Sequence, residues 1–289
     1  MNIAVQGIFT TDLSEVTYER VRFASELGFK GFGAHINVPA EQIPIARIDT
    51  ARARLADQDM ALLQVWGAYP SIISPDESVR RAGVAQVHAL CKLCARVGAP
   101  GVGVRPTSLN PRGDWWPHAD NYLPETEDRL VGSLNEILRV ACDLGLRVVL
   151  ECHQTSTLDS PQTIRRVIER TDPAHVRVNL DPCNFVSDLR TAFHPQAMLR
   201  ACFDVLGEFT DTVHLKDYYL EDRFVVHISE TILGTGLMDW CTLLTLAQAN
   251  QPDGWLMIEH LPVSQIAQAK QNLNQLIKQC QPISPIPSS

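Results

Sequence analysis

Short apolar runs alternate with stretches of helical periodicity along nearly the whole chain. An apolar run bounded by Gly, Pro or Asp reads as a buried strand, and apolar positions spaced three or four apart read as an amphipathic helix. This pattern predicts strands over residues 2–8, 30–34, 60–66, 101–105, 146–153, 176–181, 212–216 and 255–259. It predicts helices over 16–27, 45–57, 76–97, 126–144, 160–169, 195–209, 237–249 and 264–279. Gly28, Gly98 and Gly145 stand where three of these helices should stop, and Ser160-Pro161 where another should start. Strand followed by helix, eight times over, predicts an α/β fold with a parallel sheet closed into a (β/α)8 TIM barrel. An open doubly wound sheet would place a glycine-rich phosphate loop after its first strand, and GIFTTD holds a single glycine there. Residues 1–280 are expected to form one barrel domain, with a long loop at 106–125 and a frayed Pro/Ser tail at 281–289.

Four of the predicted strands break their apolar pattern at the same end. GLRVVLECH runs into Glu151, VRVNLD into Asp181, DTVHLKD carries His214, and WLMIEH carries Glu259. In such a barrel, the C-terminal ends of the strands converge on one mouth. Three carboxylates gathered there repel one another unless a cation neutralises them. Oxygen-rich ligation with one imidazole suits Mn²⁺, Mg²⁺ or Co²⁺, with Zn²⁺ the alternative, and the lack of Cys ligands argues against a closed structural zinc site.

Composition narrows the partners. The chain has 289 residues, 45% of them hydrophobic, enough for a sizeable core. Its net charge of −8, with no long basic run, disfavours nucleic acid and anionic membranes as partners. No apolar run is long enough for a transmembrane helix, and MNIAVQGIFTTD reads as the first strand, not a leader. Eight cysteines in a chain of this size are expected to be reduced thiols of a cytoplasmic protein, with Cys91 and Cys94 packing on a helix.

The segments ECH, NLDPCN, VHLKD, LGTG (Leu233–Gly236) and IEH resemble the motif series of the xylose-isomerase-like barrels, the sugar phosphate isomerase/epimerase superfamily. The resemblance implies one divalent metal ion held by Glu151, Asp181, His214 and Glu259, with Glu151 and Glu259 also the acid/base pair. It implies a metal-dependent isomerase or epimerase acting on a sugar or polyol through an enediolate. A keto-polyol (inosose-type) dehydratase is the alternative. An endonuclease IV-like phosphodiesterase and an inactive binding barrel stand further off. His153 completes an E-x-H pattern and is a candidate substrate contact. Asn184 stands where relatives carry the His of D-x-x-H. Lys216, His35 and Arg105, at strand ends, are further candidates for the pocket; Trp66, at the end of the third strand, either lines the pocket or is core. Trp115 and Trp116 in the long loop could stack on a sugar ring, and would equally serve a contact in a homo-oligomer. The glycines of LGTG could in principle hold an anion, although a plain turn is the simpler reading.

Overall fold

The computed structural model describes residues 1–280; the tail at 281–289, expected to fray, lies outside the described residues. Eight parallel strands close into a barrel, as the alternating pattern requires. In chain order the first elements are β1 (Asn2–Val5), α1 (Tyr18–Glu26), β2 (Gly31–Ile36), α2 (Ile45–Ala56), β3 (Ala61–Gly67), α3 (Glu77–Val97), β4 (Gly101–Val104) and α4 (Pro124–Asp143). Then come β5 (Arg147–Glu151), α5 (Pro161–Glu169), β6 (Val176–Leu180), α6 (Leu189–Phe193), α7 (Gln196–Leu206) and β7 (Thr210–Leu215). The chain continues through β8 (Asp217–Leu220), β9 (Ile228–Thr231), α8 (Trp240–Asn250), β10 (Trp255–Ile258) and α9 (Val263–Cys280). Around the barrel the order is β1, β10, β7, β6, β5, β4, β3, β2, so the last strand pairs with the first. Asn2 stands opposite Trp255 and Val5 opposite Ile258 at that seam.

The helices begin and end on local chemistry. Thr17, Asp76, Ser160 and Asp239 each accept a hydrogen bond from a backbone N–H in the first turn of the helix that follows. Gly98, at φ +89°, ends α3 in the left-handed conformation. The helices bury their apolar stripes against the outside of the barrel: Leu130, Leu134, Ile137 and Ala141 of α4 are fully buried. Inside the barrel, Gly103 is required for a different reason. A Cβ there would lie 2.2 Å from the Trp66 indole, so the missing side chain of β4 makes room for the buried tryptophan of β3.

Several expectations need correction. Strand β1 stops at Val5, although the Gln6 N–H still donates to the Ile258 carbonyl at 2.8 Å. The helix expected over 195–209 is α7 followed by a 3-10 turn at Gly207–Phe209, and the short α6 before it was not expected; Pro195, which disfavours a helical His194, separates the two helices. Helix α8 starts at Trp240, not near Leu237. Strands β8 and β9 were not expected; they form a two-stranded antiparallel hairpin outside the barrel, with Asp217 opposite Thr231 and Leu220 opposite Ile228. Nor are all eight cysteines free thiols. Cys241 and Cys280 form a disulfide, because α8 packs against α9 and brings their Cα atoms to 4.9 Å. The other six are free, and Cys91, Cys94, Cys152 and Cys202 among them are buried. No helix among the described residues is long and apolar enough to cross a membrane.

Candidate active site

Strands β5, β6, β7 and β10 are consecutive neighbours in the barrel, and each delivers one polar side chain to the same end. Glu151 is the last residue of β5, and Asp181 follows β6 directly. His214 is the penultimate residue of β7, and Glu259 follows β10 directly. All four are buried, and one ligand-type atom from each lies within 4.8 Å of the others.

The bonding inside this cluster is unusual. His214 Nδ1 lies 2.7 Å from Glu259 Oε1 and 3.9 Å from Glu151 Oε1. Yet neither ring nitrogen of His214 makes a hydrogen bond of acceptable alignment, and Glu259 Oε1 and Asp181 Oδ2 are compensated by the charge of Lys216 and not by an aligned hydrogen bond. Buried polar atoms without partners are costly and scarce in native proteins. Here they belong to one of four side chains that converge on one small volume. Asp181 Oδ1, by contrast, is used locally and accepts from the Cys183 N–H at 3.1 Å.

Two residues frame the cluster. Gln6 Nε2, just past β1, donates to Glu259 Oε2 at 3.0 Å and fixes that carboxylate from the far side of the barrel seam. Lys216, just past β7, is buried, with Nζ 2.7 Å from Asp181 Oδ2 and 2.9 Å from Glu259 Oε1. Burial works against its ammonium, but the carboxylates of Asp181, Glu259 and Glu151 outweigh that and hold its pKa well above the usual lysine range. Burial also opposes ionisation of Glu259, yet His214 and Lys216 pull its carboxyl well below the ordinary value. Glu151 goes the other way: burial and the charge on Glu259 raise it. His214 is raised, the pull of Glu259 exceeding the cost of burial.

The remaining predicted residues fall into two groups. Asn184 joins the cluster: its Nδ2 donates to the Cys152 carbonyl at 3.0 Å, and its Oδ1 accepts from Lys216 Nζ at 3.4 Å. His153 sits at the edge, where the Thr155 N–H donates to its Nδ1 at 3.2 Å. That nitrogen is therefore an acceptor, leaving the proton on Nε2. Burial and the Lys216 charge lower the His153 pKa to about 4, so the ring is neutral. His153 and Asn184 line a cleft of about 430 Å³ whose other wall includes Tyr218, Ser229 and Glu230 of the hairpin. A second cleft, of about 650 Å³, lies by Tyr219, Thr235 and His260, so Glu230 borders both.

The second group lies on the β2–β4 side of the mouth. His35 stacks beside Trp66 with ring centroids 6.1 Å apart, and burial together with the Arg105 charge lowers its pKa to about 4. Trp66 itself is fully buried, as the core reading required. Arg105 donates to the Gly67 carbonyl at 2.8 Å and pairs with Asp114 of the long loop at 3.1 Å. Trp115 faces His153 edge-on at 5.5 Å. The loop is tied down further by Asn121, fully buried, whose Nδ2 donates to the Ser108 hydroxyl and to the Thr155 carbonyl. Tyr122 OH donates to the Gln154 carbonyl at 2.9 Å. Trp115 and Trp116 remain 40% and 44% exposed, so the loop is folded over the mouth with its aromatics half in water.

The glycine turn is not an open anion site. Asp217, fully buried, accepts through Oδ2 from the N–H groups of Gly234 and Gly236 at 3.0 and 2.9 Å, and through Oδ1 from those of Tyr218 and Met238. A Cβ at Gly236 would run into both the Tyr218 carbonyl and this carboxylate, which is why the position is glycine. An internal carboxylate already occupies the place a phosphate would take. Asp217, Gln6, Asn121 and the Glu230–His260 pair at 3.0 Å were not singled out from sequence. Only Gln6, a polar residue ending an apolar strand, carried a signal of the kind used for the four ligands-to-be.

Comparison with known proteins places this architecture. The chain belongs to the xylose isomerase-like TIM barrel family, whose model matches residues 21–279. Among solved structures it is similar to a D-tagatose 3-epimerase-like protein, with 17% identity, 97% of this chain and 98% of that one covered, and a TM-score of 0.76. A xylose isomerase-like TIM barrel protein from Mycobacterium smegmatis, solved in complex with magnesium, gives 20% identity, coverage of 96% and 95%, and a TM-score of 0.72. The 3-keto-D-glucoside 4-epimerase of E. coli gives 23% identity, coverage of 96% and 99%, and a TM-score of 0.68. A comparison with curated proteins by sequence gives no match.

Proposed function

We propose that the protein is a divalent-metal-dependent sugar isomerase or epimerase that works through an enediolate. The observation that carries this reading is the convergence of Glu151, Asp181, His214 and Glu259, buried, with one ligand-type atom of each within 4.8 Å of the others and neither His214 ring nitrogen in a hydrogen bond of acceptable alignment. Such atoms fit a metal ion better than they fit one another. Three carboxylate oxygens and one imidazole suit Mn²⁺, Mg²⁺ or Co²⁺, with Zn²⁺ the alternative. The similarity to barrels named as sugar epimerases, and to one solved with magnesium, supports the same reading.

A divalent ion held there would polarise a substrate carbonyl and stabilise the charge left when the neighbouring proton is removed. The chain supplies the proton transfers. Glu151 and Glu259 are the acid/base pair of this reading: Glu259 starts ionised, held so by His214 and Lys216, and Glu151, raised by burial and by the charge on Glu259, is the carboxyl that more readily carries a proton. Gln6 anchors Oε2 of Glu259, so Oε1, which faces His214 and Lys216, keeps one orientation. His153, neutral with its proton on Nε2, offers a donor to a substrate hydroxyl in the adjoining cleft. Arg105, Trp115, Trp116 and His35 shape the opposite side of the mouth, where the ring or chain of the substrate would lie.

The test is solvent exchange. Purified protein loaded with Mn²⁺ is incubated with ketoses and keto-inositols in D2O and followed by NMR. Deuterium entering next to the carbonyl, together with a new epimer or isomer, is the expected result. Exchange followed by loss of water would move the assignment to the dehydratase. No exchange on any member of the panel, in protein that retains no metal, would overturn the reading.

A further inference from the structure

Lys216 places a positive charge inside the cluster, and its position is specific. The side chain is 3% exposed, and Nζ touches Asp181 Oδ2 at 2.7 Å, Glu259 Oε1 at 2.9 Å and Asn184 Oδ1 at 3.4 Å. It makes no ion pair with Glu151. The ammonium therefore lies to one side of the four-ligand cradle. It shares two of the cradle's carboxylates and faces an amide oxygen that belongs to none of the four. That amide is fixed by its own donor, since Asn184 Nδ2 is committed to the Cys152 carbonyl at 3.0 Å. Three oxygens from two carboxylates and an amide are also what a hard divalent cation takes. The charge count agrees: Glu151, Asp181 and Glu259 contribute three negative charges and Lys216 one positive, leaving two for one divalent ion to neutralise. Paired metal ions in other sites lie about 3.5–4 Å apart and share bridging carboxylates, and Asp181 and Glu259 are placed to bridge in this way.

We propose that the Lys216 ammonium is a tethered second cation: by bridging Asp181 and Glu259 and facing Asn184, it keeps the centre mononuclear, and removing it opens a second divalent-metal site on those same three residues. This rests on the metal centre proposed above. Lys216 is a positioning residue in this account, acting through the carboxylates it holds.

The experiment counts ions and does not depend on turnover. Full-length wild type, Lys216→Ala, Lys216→Met and the double variant Lys216→Ala/Asn184→Ala are stripped with chelator. Each is titrated with Mn²⁺ by calorimetry, and bound metal is measured after gel filtration. One ion per chain is expected in the wild type, two in Lys216→Ala and Lys216→Met, and one again in the double variant. The EPR spectrum of the two-ion form should show the exchange-coupled signal of a neighbouring Mn²⁺ pair, which a stray surface ion would not give. Methylammonium should displace the second ion from Lys216→Ala. Circular dichroism melts select the variants that fold, and the Met substitution keeps the apolar stem if Ala does not. One ion in the wild type and one in both single variants overturns the proposal. If that single ion binds more tightly in the variants, the ammonium was standing in the metal's own place. No ion in the wild type removes the metal centre itself, and this inference with it.

Discussion

The two halves of the barrel mouth are built from different chemistry. On the side of β5, β6, β7 and β10, the strand ends carry three carboxylates, an imidazole and an ammonium, all buried and packed into one cluster. On the side of β2, β3 and β4, the strand ends carry His35, Trp66 and Arg105, with Trp115 brought in by the long loop. The first side has more charge than it can satisfy internally. The second is neutralised within itself: Arg105 is paired with Asp114, and His35 is held neutral by burial and by Arg105. Unspent electrostatic potential sits on one side, and shape and stacking surface on the other. The difference suggests a division of labour in which reaction type is set by one half of the mouth and substrate choice by the other.

The sharpest way to break that division is to mutate each half and compare. Glu151→Gln and Glu259→Gln should each lower kcat by roughly 10²–10⁴-fold, the usual worth of a positioned acid or base. Asp181→Ala should lose the bound ion, read by metal analysis. If either glutamine variant turns over normally, the charged half does not set the chemistry. Next in size is a change that should leave the mouth alone. Cys241→Ser in the α8–α9 staple removes a cross-link over a separation of 39 residues, for which chain entropy allows a loss of up to about 4 kcal/mol. A fall in Tm of up to about 7 °C with unchanged kcat is expected; a parallel loss of activity would show that the helical layer and the mouth are coupled.

Smaller effects belong to the other half. Trp115→Ala and Arg105→Met should raise KM by roughly tenfold, about 1.4 kcal/mol, with kcat nearly unchanged. A loss confined to kcat would place the loop in the chemistry instead. The smallest expected effect is a pH dependence. His35 titrates near pH 4 in the folded chain against an ordinary 6.5, so the unfolded chain binds the proton first. Its contribution to stability is present above pH 6.5 and is lost as the pH falls towards 4. In urea unfolding across that range, His35→Asn should give a shallower slope than the wild type, and equal slopes would remove His35 from the account.

What sequence could reveal follows the same division. Glu151, Asp181, His214 and Glu259 were legible because each interrupts or ends an apolar strand, where a charged residue has no structural reason to be. The barrel was legible because buried parallel strands and amphipathic helices have different periods. The β8–β9 hairpin was not, because its strands pair only with each other outside the barrel, so neither face is uniformly apolar. Asp217 lay hidden beside Lys216 because most of its partners are backbone amides, which leave no mark on side-chain pattern, and its one side-chain donor, the Trp240 indole, stands 23 residues further on. Asn121 likewise has mostly backbone partners, the Leu109 N–H and the Thr155 carbonyl, with the Ser108 hydroxyl beside them, all brought together by the long loop. The staple was invisible for another reason: which faces of α8 and α9 meet is a tertiary fact, and cysteine spacing does not encode it.

That staple also changes how the molecule would respond to force. The first strand is zipped to the last, but a pull from beyond Cys280 passes through the disulfide to Cys241, so β10 and its seam with β1 lie off the direct load path on that side. Once the seam gives, the segment from Cys241 to Cys280, β10 included, remains a closed loop and cannot be drawn out. In an optical trap, the oxidised chain should extend about 140 Å less than the reduced one, from 39 residues at about 3.6 Å each. The last segment of the barrel would then behave as a knot of fixed length, a mechanical reserve around which the seam can close again when tension is released.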